Sequence, residues 1–99
     1  MYLEKTKRVH LSGTKLRKLN DAVHRRDGGR CIVCGEYVEP GVKFHHEPCG
    51  VYKSDEIRKA VLLCNRCHYA RHHTHAAEIR EQCVTYLQRI YGNLGARKD

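Results

Sequence analysis

Nowhere in the 99 residues is there an apolar run approaching the roughly 20 that a membrane-spanning helix needs, so no helical span is expected. The opening stretch, MYLEKTKRVHLSG, carries charge from Glu4 onward and has no apolar segment. It predicts no signal peptide, and the chain reads as cytoplasmic. Proline is scarce, with two residues, and no low-complexity run accompanies the eight glycines, which argues against a disordered tail or long linker. What remains is a single domain spanning residues 1–99, with a core too small to be stable without a staple. Acidic residues are outnumbered, eleven against nineteen Lys and Arg, for a formal charge of +8. So large an excess on so small a domain points to a polyanionic partner, with nucleic acid the first choice.

Cysteine is plentiful, and its spacing identifies the staple. Without a leader, the six cysteines do not read as a secreted disulfide scaffold. Cys31-Ile-Val-Cys34 and Cys64-Asn-Arg-Cys67 form two Cys-x-x-Cys pairs with 29 residues between them. Each tight pair turns two thiolates toward one metal, and two pairs complete a closed tetrahedral site for structural zinc. A redox role for these pairs would instead require reactive thiols. Cys83 falls on the apolar face of a predicted helix and reads as a core residue, whereas Cys49 has no evident role.

The pattern of apolar residues predicts an α+β domain. A first helix over about 14–26 carries Leu16, Leu19 and Val23 on one face, with Ser12 as its cap and Asp27-Gly28-Gly29 as its stop. Val42, Phe44 and the His45-His46 pair suggest a short strand, and Ala60-Val61-Leu62-Leu63 a second, more buried one. Residues 47–56 read as the connecting loop. A short helix is expected after Cys67. A final helix over about 76–91 places Ile79, Cys83, Leu87 and Ile90 on one face, with Gly92 just beyond it.

Histidine is the other residue whose arrangement carries information. His68 and His72 stand four apart on the helix expected after Cys67, so they share a face. The four thiolates already complete one cage, which leaves these imidazoles for something else. If the two strands pair and the helix crosses them, one of His45 and His46 can face that helix. His45, His68 and His72 could then hold a second, open-sided metal, leaving His46 to take a proton from water. His10, His24 and His75 have no partner at helical or strand spacing, and His73 lies about 100° around the helix from His72; all four read as surface or local packing.

Taken in order, RDGGRCIVCG, VKFHHE and AVLLCNRCHYARHH resemble the HNH endonucleases of the ββα-metal type, particularly small phage and prophage members with a four-cysteine zinc. The resemblance spans about residues 24–73. It implies that His45 binds the catalytic metal, that His46 is the general base, and that His68 closes the metal site, with His72 matching a further ligand. Lys59 stands where the family has an Asn that braces the loop behind the general base.

The implied reaction is hydrolysis of a DNA phosphodiester by a water that His46 deprotonates. The divalent cation at His45, His68 and His72 meets a non-bridging phosphate oxygen and the leaving oxygen. An imidazole-rich site favours Mn2+, with Co2+, Ni2+ or Mg2+ as alternatives, while Zn2+ stays in the cysteine cage. Arg66, Arg71 and Lys59 are the candidate DNA contacts. The expected activity is a low-specificity nick made by a monomer. The rival reading is a zinc-containing DNA-binding module without chemistry, which leaves the four histidines unexplained.

Overall fold

The computed structural model describes residues 8–92 and shows a small mixed α/β arrangement of three helices and a two-stranded sheet. The segment over residues 1–11, whose sequence reads as extended or loose, lies outside the described residues up to residue 7 and has no regular structure from residue 8 to 11.

Helix α1 runs Gly13–Arg26. Ser12 occupies its cap position in extended backbone but makes no side-chain capping bond. At the other end Gly28 and Gly29 both take φ of 70°. This lets the Gly29 amide reach His24 O at 2.9 Å and the Gly28 amide reach Arg25 O at 3.2 Å, the paired bonds of a Schellman termination. The chain is thereby turned directly into Cys31.

Strands β1 (His45–His46) and β2 (Ala60–Val61) pair antiparallel, His45 opposite Val61 and His46 opposite Ala60. Both are shorter than the sequence predicts, for one reason: side chains from α1 and its exit take the backbone bonds that a longer ladder would use. Asn20 accepts from the Phe44 amide at 2.9 Å and donates to Val42 O at 3.1 Å, and His24 Nε2 meets the same carbonyl at 2.8 Å. Beyond β2, the Leu62 amide donates to Asp27 Oδ2 at 2.9 Å, and Leu62 O accepts from the Ile32 amide at 3.0 Å. That last bond ties the first Cys-x-x-Cys turn to the chain approaching the second. Within the connection, two single 3₁₀ turns form at Gly50–Tyr52 and Ile57–Lys59.

Helix α2 (Asn65–His72) starts on the second cysteine turn, and α3 (Ala76–Tyr91) packs against it. The α3 boundaries coincide with the predicted ones, and Gly92 follows at φ of 85°. Ile79, Cys83 and Leu87 are buried as expected. Ile90 is not: it is 43% exposed, and Tyr86 and Tyr91 pack on the core instead. Their rings lie 5.6 and 5.8 Å from the Arg26 guanidinium, which also pairs with Asp27 at 2.7 Å and donates to Ile57 O at 2.6 Å. Arg26 thus joins α1, α3 and the segment before β2.

Phe44, Leu62, Val61 and Val23 are essentially inaccessible and form the centre of the core. Each contributes roughly 1.5–3 kcal/mol relative to an exposed position. No helix of the described residues is long and apolar enough to cross a membrane.

Candidate metal centres

Two clusters of metal-ligating side chains meet at α2. Cys31, Cys34, Cys64 and Cys67 bring their sulfur atoms within 4.8 Å of one another. The Cys34 and Cys64 sulfurs lie 3.6 Å apart, close to the separation of about 3.8 Å that two sulfurs take on one tetrahedral zinc at 2.3 Å each. The two turns share one backbone bond: the Gly35 amide, at φ of 82°, donates to Cys31 O at 2.9 Å, as the His68 amide does to Cys64 O at 2.8 Å. In the second turn the Cys67 amide also donates to Cys64 Sγ at 3.4 Å. Burial and crowding by neighbouring thiols push Cys64 and Cys67 up. At Cys34 burial works the same way but is outweighed by hydrogen bonds from the Glu36 backbone and the other thiols, which bring it to about 7. Four thiols this close could bind a metal such as zinc, whose charge would offset the repulsion among their ionised forms.

The second turn sets the register of the other cluster. Cys64 caps α2, Cys67 lies in its first turn, and the His68 amide donates to Cys64 O at 2.8 Å. His68 and His72 therefore project from consecutive turns toward β1. Their ring centroids are 5.0 Å apart and stand 5.1 and 5.4 Å from that of His45. The three candidate ligand nitrogens lie within 4.8 Å of one another. Two imidazole nitrogens on one ion at about 2.1 Å each are at most about 4.2 Å apart, so small side-chain rotations suffice to close the site. The donor set fits a divalent cation that accepts imidazole. Its ligands grade outward from buried His45 through half-buried His68 to exposed His72, leaving one side open to solvent. Burial first, then the neighbouring imidazoles, lowers the pKa of His68; burial and His45 do the same for His72. Both shifts favour the neutral imidazole, the form that a metal would require.

Glu47 lies immediately behind this cluster. Its Oε1 is 3.1 Å from His45 Nε2, and it forms a two-pronged pair with Arg71, Nε to Oε1 at 3.0 Å and Nη2 to Oε2 at 3.1 Å. Burial alone would raise the Glu47 pKa, but the hydrogen bonds from His45 and Arg71 lower it. A carboxylate behind a metal-binding imidazole fixes its tautomer, here leaving His45 Nδ1 for an ion. Arg71, a candidate DNA contact, has its side chain turned inward, 8% exposed as a residue, with its charge paired to Glu47. Arg66 remains fully exposed at the start of α2, and Lys59 is partly exposed beside Glu56 at 3.5 Å.

His46 stands on the other face of the strand from His45. Its ring packs edge-on against Phe44 at 4.9 Å, and Nε2 is 2.7 Å from Asp55 Oδ1. Burial lowers its pKa, and the opposing pull of Asp55 does not reverse the direction. Of the histidines assigned to packing, His73 stacks on Tyr69 at 4.1 Å, His24 bonds Val42 O, and His75 meets Thr74 Oγ1 at 2.9 Å. Cys83 is fully buried, and burial pushes its thiol up to about 12. Cys49 accepts from Arg71 Nη2 at 3.6 Å.

Glu47 stands against His45 and Asp55 against His46, roles that the sequence analysis does not assign them. Glu47 follows the histidine pair directly and lies one residue beyond the strand, where period-two alternation puts it on the face of His45. That was a usable signal. Asp55 reaches His46 through an irregular connection, and no periodicity announces it. Comparison with protein-family models, with curated proteins and with solved structures found no match for this chain.

Proposed function

We propose that the chain is a metal-dependent endonuclease of the HNH, ββα-metal type that hydrolyses DNA phosphodiester bonds, with zinc in the cysteine cluster. The observation that carries this reading is the convergence of His45, His68 and His72, with centroids 5.0–5.4 Å apart, next in sequence to a histidine that takes no part in the cluster. The order β1, β2, α2 matches the strand, strand, helix sequence that the motif resemblance implies. The +8 charge and the exposed Arg66 suit a polyanionic substrate.

In this reading His45, His68 and His72 hold a divalent cation, which supplies positive charge to a phosphate oxygen and to the leaving oxygen. The remaining work belongs to the protein. Glu47 and Arg71 keep the His45 ring in place. His46 takes the proton of the attacking water, a contribution of typically 10²–10⁴-fold. Arg66 and Lys59 contact phosphates. Cys31, Cys34, Cys64 and Cys67 take no part in the chemistry and hold α2 in register with the sheet.

The test is a supercoiled-plasmid assay of zinc-loaded protein with added Mn2+, with chelator, and with His46→Ala. Cleavage should require the divalent ion and be lost in the variant, while zinc content and DNA retention persist. Retention of DNA with no cleavage under any metal would favour the non-catalytic binding module. Cleavage by His46→Ala at the unmodified rate would overturn the assigned chemistry.

A further inference from the structure

His46 Nε2 lies 2.7 Å from Asp55 Oδ1, and both side chains are largely withdrawn from solvent, at 13% and 9% exposure. An ionised carboxylate can only accept a hydrogen bond, so the proton of a neutral His46 sits on Nε2 and the lone pair on Nδ1. Asp55 is itself held from the far side. Its Oδ2 accepts from the Leu11 amide at 2.7 Å, and its own amide donates to Val9 O at 2.8 Å. The Val9 amide in turn donates to Ser54 Oγ at 2.7 Å. The segment ahead of α1 thus straps down residues 54 and 55, more than forty positions away in sequence. With Phe44 against the ring edge, rotation of the imidazole is opposed from two directions.

We propose that Asp55, fastened by the Val9–Leu11 strap, is the positioning residue of His46, locking the ring in the Nε2–H tautomer and making Nδ1 the proton-accepting atom. The tautomer follows from the hydrogen bonds alone; its consequence for cleavage rests on the nuclease reading above. A buried carboxylate that orients an imidazole raises the fraction of encounters in which the base is correctly presented, without touching DNA itself. Removing it should therefore act on turnover rather than on substrate binding.

The deciding measurement is the long-range 1H–15N NMR spectrum of zinc-loaded, full-length protein labelled at histidine, with His46→Gln used to assign the signal. His46 should show a protonated Nε2 and an unprotonated Nδ1. In Asp55→Ala the ring should redistribute between tautomers, and kcat on plasmid should fall at least about tenfold with KM within about twofold, inside the range a general base contributes. Asp55→Asn retains an acceptor oxygen and should recover part of kcat. A protonated Nδ1 in the unsubstituted protein would overturn the proposal even if Asp55→Ala does not fold. So would unchanged kcat and tautomer in a folded Asp55→Ala. Absence of cleavage by every form would defeat the nuclease reading, while the spectrum would still decide the tautomer.

Discussion

Glu47 Oε1 lies 3.0 Å from Arg71 Nε and 3.1 Å from His45 Nε2, so one buried oxygen links α2 to the first strand. Replacing Glu47 by Ala leaves the Arg71 guanidinium buried and unpaired, at a cost of about 3–5 kcal/mol. Glu47→Gln keeps an acceptor and most of the shape, and should cost less. In the folded Gln variant, affinity for Mn2+ at the histidine cluster should fall about 10- to 100-fold, because the partner that orients His45 is weakened. Thermal unfolding and titration calorimetry separate the two effects. Unchanged Mn2+ affinity would place the ion elsewhere.

The cysteine cluster has a different signature. Cys64 is both a cluster member and the cap of α2, so Cys64→Ser should release zinc and unfold the region together. Metal analysis and circular dichroism should change in step. A folded, zinc-free Cys64→Ser protein would contradict a structural role.

Asp27 accepts from the Tyr86 hydroxyl, from Arg26 and from the Leu62 amide. Tyr86→Phe should destabilise by about 1–3 kcal/mol through the lost bond to a buried carboxylate. Burial, followed by the Asp27 bond, pushes the Tyr86 phenol up to about 12, above the ordinary value near 10. Because the folded value is the higher one, the associated stability is complete below about pH 10 and is lost as pH rises through about 12. Phenolate absorbance should show a late-titrating component that is absent in Tyr86→Phe.

These networks also explain which features were legible in the sequence. Ligand spacing is local, so the two Cys-x-x-Cys turns and the His68/His72 pair could be read directly. The 3.6-residue period and Gly92 set both ends of α3. Strand lengths could not be read in the same way, because Asn20, His24 and Asp27 take backbone bonds from positions far away in sequence. The contribution of individual cations to the surface was not legible either: Arg26 and Arg71 each have a buried carboxylate beside them. Asp55 came into reach of His46 only through the fold of an irregular connection.

Metal choice tests the ligand set. Both Glu47 oxygens are engaged by His45 and Arg71, so the carboxylate nearest the cluster is already occupied. Three imidazoles and no free carboxylate suit Mn2+, Co2+ or Ni2+ better than Mg2+, which prefers oxygen and keeps its waters. Cleavage at equal concentration should therefore be faster with any of the first three. A strong magnesium preference would mean that a carboxylate enters the site when DNA binds.

The last prediction concerns the product. On the proposed reading, one histidine cluster with one adjacent base would attack one strand per binding event, and a double-strand break would require a second site related by symmetry. The apolar stripe a dimer would most readily use, on α3, is already occupied: Ile79, Cys83 and Leu87 are 6%, 0% and 4% exposed within the chain's own core. Ile90 is the one exposed large apolar side chain of α3 among the described residues, too little to hold two copies together. On the proposed nuclease reading, contacts to DNA would rest on dispersed cations, which bind phosphates regardless of sequence and weaken steeply with salt. Supercoiled plasmid should therefore turn first into relaxed circles at many positions, with linear molecules following as nicks accumulate on both strands. Raising salt should slow the first step through weaker binding. Linear DNA of discrete ends, formed without a relaxed intermediate, would show a paired and site-specific cutter instead.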